Sequence, residues 1–236
     1  MTQKQWQVET EQYVPRILKA LELHEVTLEK YGGFPDVPLS EPPDEKARAI
    51  LQLALFVLSG IKVVQLILDS LIHRWSIGML ISAPLEIRLI MEYRAAISFG
   101  LEIAAQLEDK EKYEKAFERC IRLTTGSKTP ILLPWGEMSA VKSFSTMEFV
   151  RHLEELDSGV LADYEYLCES SHPNAMQHMY LVMASKTYDN WGNEQFKKHA
   201  HEMLDRCVEI CMRSVVGLAK SAQDMTEICA KHFPSK

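Results

Sequence analysis

Residues 84–96 read "PLEIRLIMEYRAA", an apolar run interrupted by four charges, Glu86, Arg88, Glu92 and Arg94. Its length and hydrophobic content predict a helix within a long segment spanning residues 76–107, with Pro84 either at its true start or at a kink. Arg88 and Glu92 are four residues apart, so on a helix they point the same way. If that face is buried, neither charge can stand alone, because removing one member of a buried pair strands the other. Two readings follow. The pair satisfies itself and fixes helix register, or Arg88 and Glu92 face a cleft and do chemistry there. Both make Arg88→Ala damaging, to the fold in the first case and to the activity in the second.

Upstream, residues 44–75 form the most apolar segment, with "AILQLALFVLSGI" at 49–61 uncharged as far as Lys62. A membrane span needs roughly 20 largely uncharged residues. This run is shorter and Lys62 falls near the middle of the longer stretch, so a central buried helix is expected rather than a span. Residues 5–30 carry Val8, Tyr13, Ile17, Leu18, Leu21 and Leu28 at helical intervals and predict an amphipathic helix ended by Gly32 and Gly33. "YGGFPDVPLSEPPDE" (31–45) then makes a proline-rich loop, since each proline removes a donor and restricts its predecessor.

Downstream, residues 108–123 read as a mixed-charge helix turning Tyr113, Phe117, Cys120 and Ile121 inward. A second proline-bearing loop covers 124–145, and its apolar "PILLPW" calls for a cover such as a neighbouring subunit. Ser145 or Thr146 caps a short helix to Leu156, with Glu148 three residues after Ser145. Further helices are expected at 161–170, at 173–191, and as one long or once-broken amphipathic helix at 193–233. No alternating strand pattern, internal repeat or low-complexity tail is present. The expectation is an all-α, single-domain, up-and-down-like bundle of seven or eight helices over residues 1–236, its core at 44–191, with two long proline-containing loops.

The totals are ordinary for a globular chain: 236 residues, 47% hydrophobic, 25% charged. A formal net charge of -7 removes any global attraction to phosphate backbones or anionic lipid, so a nucleic-acid contact would be a local patch. The amino-terminal sequence has neither a basic start before an apolar run nor a small-residue cleavage site, which predicts a cytoplasmic protein with no membrane association. Cys120, Cys168, Cys207, Cys211 and Cys229 form no CxxC pair and read as buried free thiols, with a redox or zinc site as the alternative.

"YEYLCESSHPN" (164–174) is the second chemistry-bearing stretch. Pro173 explains why a helix stops at His172 and how another starts, with Asn174 in the new first turn. A helix break needs no histidine, however. Imidazole titrates near neutrality and can serve as acid, base or ligand, with Tyr164 and Cys168 preceding it at helical spacing. Glu169 and His172 also form one Glu-x-x-His element of the kind used by helical di-metal proteins, but there is no second such element. His199 and His201 fall on different faces, and Glu148 with His152 would give only a two-ligand pair, so no metal site or cofactor is assigned. Phosphate-binding and dinucleotide loops, nucleophile elbows and H-E-x-x-H are all absent.

A long apolar helix bearing "PLEIRLIMEYRAA", followed by "DYEYLCESSHPN" and a further helix, resembles a group of bacterial all-α proteins related to the HEPN superfamily. The resemblance spans residues 45–191 and rests on Arg88, Glu92, Tyr164, Leu167, His172, Pro173 and Asn174. It implies a helical bundle, commonly dimeric, of a kind in which many members are metal-independent ribonucleases in defence systems. Their usual motif sets an arginine a short distance before a histidine. None of the eight histidines here has that spacing; the nearest case is Arg16 and His24, with seven residues between them. What the resemblance implies is therefore a pocket built from separate helices, with His172, Arg88 and Glu92 as catalytic candidates and Tyr164 and Asn174 as binding candidates. The function expected is RNA binding or cleavage in defence or stress. The alternatives are a non-catalytic dimerisation or protein-interaction module and a metal-dependent helical-bundle enzyme.

Overall fold

The computed structural model describes residues 44–76, 83–127, 131–132, 138–139, 141–171 and 194–233, together with Pro15 and Lys19. The expected helices at 5–30 and 173–191, the first proline-rich loop, and His172 and Asn174 lie outside the described residues. Among the described residues the chain is all-α, with six helices: α1 (Glu45–Ser76), α2 (Ala83–Gln106), α3 (Tyr113–Thr125), α4 (Thr146–Leu156), α5 (Val160–Ser171) and α6 (Glu194–His232). One two-residue antiparallel pair, β1 (Ile131–Leu132) and β2 (Met138–Ser139), ties the second loop back on itself.

α2 is the hub. Pro84 sits in its first turn, where a missing N–H costs nothing, so the proline starts the helix and does not kink it. Ile87, Ile90, Met91, Ala95, Ile97, Phe99, Ile103 and Ala104 are buried around most of its circumference, the pattern of a helix enclosed by others. It touches each of the other five described helices. The central helix is thus α2, not the segment at 44–75. α1 buries Ile50, Leu53, Val57, Ile61, Val64, Leu68 and Leu71 against α2, α3 and α6, and leaves Arg48, Leu55, Lys62, Leu66 and Asp69 outside. It is long and apolar enough by length and composition to cross a membrane; in this fold its apolar face is packed against the bundle.

Local chemistry sets the helix ends. Asp44 Oδ1 accepts from Ala47 N–H at 2.7 Å at the start of α1. The mixed-charge helix begins at Tyr113, five residues later than its charge pattern predicts. Asp109 holds a turn before it by accepting from the Glu111 and Lys112 N–H groups, through its side chain and its carbonyl respectively. Ser145 and Glu148 form the expected capping box of α4. Between α4 and α5 the Glu154 carboxylate accepts from Gly159 N–H (3.0 Å) and Leu161 N–H (2.7 Å), serving the open amino end of α5. Gly159 makes that turn at φ 91°, where a side chain would be strained.

α6 runs unbroken across the bundle and closes it at one end. Glu108, in the turn after α2, lies 3.0 Å from Lys46 Nζ at the start of α1 and 2.6 Å from His232 Nε2 at the end of α6. Cys120, Cys207, Cys211 and Cys229 are buried free thiols, and Cys168 is half-buried. Burial pushes Cys207 and Cys211 up to about 12, which keeps both protonated and unreactive.

A close fit holds α2 against α6. A Cβ placed on Gly217 would lie 2.2 Å from Arg94 Nε, so this glycine is a slot through which the guanidinium passes. Gly→Ala inside a helix ordinarily gains about 1 kcal/mol. Here the sign reverses: Gly217→Ala should lower stability by about 1–3 kcal/mol, as forced overpacking does. Urea unfolding will show it, and the Arg94→Ala/Gly217→Ala double variant should lose less than the sum of the two single losses.

Candidate functional site

Three of the five sequence-predicted site residues converge. Arg88 and Glu92 lie one turn apart on α2, with Arg88 Nε 3.3 Å from Glu92 Oε1. From α5, Tyr164 Oη donates to the same carboxylate oxygen at 3.0 Å. Glu92 Oε1 thus joins a cation and a phenol from two helices. The side chains of Arg88 and Glu92 are 22% and 23% exposed, so the cluster sits at the rim of the bundle and is neither sealed nor free.

The protonation states follow from this setting. Burial, then the Glu92 carboxylate, then the Cys168 thiol one turn along α5, push the Tyr164 phenol well above its ordinary range. Tyr164 is therefore a fixed donor to Glu92 at any physiological pH and not a base. Arg88 Nε is buried without a hydrogen-bond partner. Its terminal nitrogens have no hydrogen bond to another described residue, which leaves the planar fork as the part able to meet a ligand. Among the charges of α2, this is the arrangement most suited to an anion.

The remaining charges of α2 are committed elsewhere. Glu86 accepts from Ser70 Oγ at 3.1 Å and lies 3.3 Å from Arg74 Nε, both on α1. Arg94 reaches Asp157 at 2.6 Å, at the carboxyl end of α4. Glu102 receives both terminal nitrogens of Arg119 on α3, at 3.2 and 3.0 Å, and lies 3.3 Å from His152 Nδ1 on α4. Arg119 also stacks over Phe99, 4.5 Å from its ring centre. A further cluster joins Asp163 of α5 to Arg213 and Arg206 of α6, with Arg206 over the Tyr166 ring at 4.0 Å.

These long-range partners escape sequence reading, because nothing in one chain's spacing couples Arg94 to Asp157 or Glu102 to Arg119. Glu148 and His152 do not act as a pair: Glu148 caps its own helix and meets Arg122, while His152 turns to Glu102. Among the described residues no three His, Cys, Asp or Glu side chains gather into a group able to hold a metal ion. No protein-family model, curated protein or solved structure matches the chain.

Tyr164→Phe removes a hydrogen bond to a partly exposed carboxylate, and should cost about 1–2 kcal/mol in denaturant unfolding while leaving helix content unchanged. The Glu102 cluster predicts a pH dependence. Burial raises the Glu102 carboxyl, but Arg119, His152 and Gln106 together outweigh it and hold it below its ordinary 4.5. A folded-state value depressed in this way stabilises the protein above the unfolded value and loses that stabilisation as pH falls through the folded one. The stability gap between wild type and Arg119→Met should therefore be widest above about pH 5 and narrow steadily towards pH 3 in urea titrations.

Proposed function

We propose that the protein is a HEPN-like cytoplasmic helical bundle that binds and cleaves RNA in a defence or stress response. The observation that carries the reading is Arg88, an arginine on the most buried helix whose fork reaches the rim. It is oriented by Glu92, which is itself fixed by Tyr164. A guanidinium held in this way matches a phosphate and meets developing charge without reorganising. In the proposed reaction His172, in the sequence directly after the last residue of α5, takes the proton of the ribose 2'-hydroxyl as that oxygen attacks the adjacent phosphate; the P–O5' bond breaks to leave a 2',3'-cyclic phosphate, the departing 5'-oxygen takes a proton from water to become a hydroxyl, and Arg88 stabilises the charged phosphorane between the two steps. Glu92 and Tyr164 are positioning residues, and Asn174 contributes to binding. The net charge of -7 restricts contact to this patch, so binding should be weak and salt-sensitive.

A second reading, a non-catalytic assembly module, draws on one specific fact: the nearest partner of Arg88 is already a carboxylate of its own helix. The test is incubation of the full chain with tRNA and mixed single-stranded RNA in chelator. Wild type should cleave, His172→Ala should slow cleavage by about 100-fold or more, and Arg88→Gln should do so with an unchanged unfolding midpoint. No cleavage by wild type, or undiminished cleavage by His172→Ala, sinks the ribonuclease reading. Loss of stability alone in Arg88→Gln favours the assembly module.

A further inference from the structure

The rim cluster sets one guanidinium against one carboxylate. Glu92 Oε1 lies 3.3 Å from Arg88 Nε and also accepts from Tyr164 Oη, so turning Glu92 away would break both contacts. From α5 the titratable groups at the cluster are Tyr164, which stays a neutral phenol, and Cys168 one turn on. The other charges of α2 are held elsewhere: Glu86 toward α1, Arg94 toward the end of α4, Glu102 toward α3 and α4. An anion that meets the Arg88 fork therefore meets a fixed negative charge as well. Leu85, three residues before Arg88 and so on the same side of α2, is 43% exposed, and helical side chains lean in its direction. Binding at such a spot strips water from the anion.

The hydration lost grows with the square of an ion's charge, so a doubly charged phosphate loses far more than a singly charged one. Beside an arginine alone, the stronger attraction of the second charge would offset that loss. Beside Arg88 and Glu92 together, the second charge meets attraction and repulsion at once. We propose that Glu92 is a charge filter, which makes the Arg88 site selective for the singly charged phosphodiester within a strand and turns away doubly charged terminal phosphates, mononucleotides and inorganic phosphate. The inference rests on the reading of Arg88 as a phosphate-binding residue, and gives Glu92 a specificity role in addition to its positioning one. Without the filter, the fork would be open to any small dianion in solution.

The test uses the full chain and two ligands without a 2'-hydroxyl: a deoxynucleoside 3'-phosphate and its methyl ester, which differ by one methyl group and one charge. Dissociation constants are read at low salt from the displacement of the Arg88 Nε–H resonance. At pH 8 wild type should bind the methyl ester about 3-fold or more tighter than the free phosphate. Glu92→Gln keeps an oxygen for Tyr164, and should tighten the free phosphate about 10-fold or more and the ester less, so that the order reverses. In wild type at pH 5.5, below the second phosphate pKa of about 6, the free phosphate is mostly singly charged and should bind within about 2-fold of its ester. This comparison needs no variant, and decides alone if a thermal melt shows that Glu92→Gln has lost the fold. A wild type that binds both ligands equally at pH 8, or a preference that survives in folded Glu92→Gln, overturns the filter. No displacement by either ligand overturns it together with the phosphate reading of Arg88. RNA cleavage without a charge preference sinks the filter alone, and a charge preference without RNA cleavage sinks the ribonuclease reading alone.

Discussion

Everything in this bundle follows from placing five charged side chains on the one helix that the other helices enclose. A buried charge without a partner costs several kcal/mol, so each charge on α2 has to be met by whatever packs there. Glu86 is met from α1, Glu92 from α5, Arg94 from the end of α4 with α6 notched to let it pass, and Glu102 from α3 and α4. Apolar contact alone would allow neighbouring helices to slide or rotate past one another at small cost. The charges oppose that freedom, because a slide or rotation that separates any of these pairs leaves a charge unmet.

The candidate site comes from the same constraint, relaxed at one point. Arg88 is the α2 charge that is answered only from within its own helix, and it lies at the rim, where the bundle needs nothing further from it. Tyr164, locked in its protonated form, aims the carboxylate that aims the guanidinium. A group oriented by structure and spared from structural duty is what an anion-binding role requires.

The architecture could be read from the sequence wherever the chemistry is local. The capping box at Ser145 and Glu148, the proline start of α2, the pairing of Arg88 with Glu92 and the buried cysteines all follow from residues a few positions apart. Which helix is central could not be read that way. The uncharged run at 49–61 outranks residues 84–96 in hydrophobicity, yet α2 is the enclosed one, because its charges are neutralised by partners that sequence spacing leaves invisible. The same holds for Arg119 and His152, which come from two further helices, and for Gly217. As a letter in the sequence Gly217 resembles a weak point in a long helix, and only the passing guanidinium explains it. Of the site, Arg88, Glu92 and Tyr164 meet as a unit. Their sharing of a single oxygen is tertiary information that no periodicity contains.

The Glu108 carboxylate has a topological meaning beyond its two ion pairs. It brings the first turn of α1 and the last turn of α6 to the same point, although they are the first and last of the described helices. Among the described residues the first and last helices thus meet at one pole of the bundle. A covalent crosslink across that pole, between the start of α1 and the end of α6, would tie together the two described helices farthest apart in sequence while leaving the contacts around α2 intact.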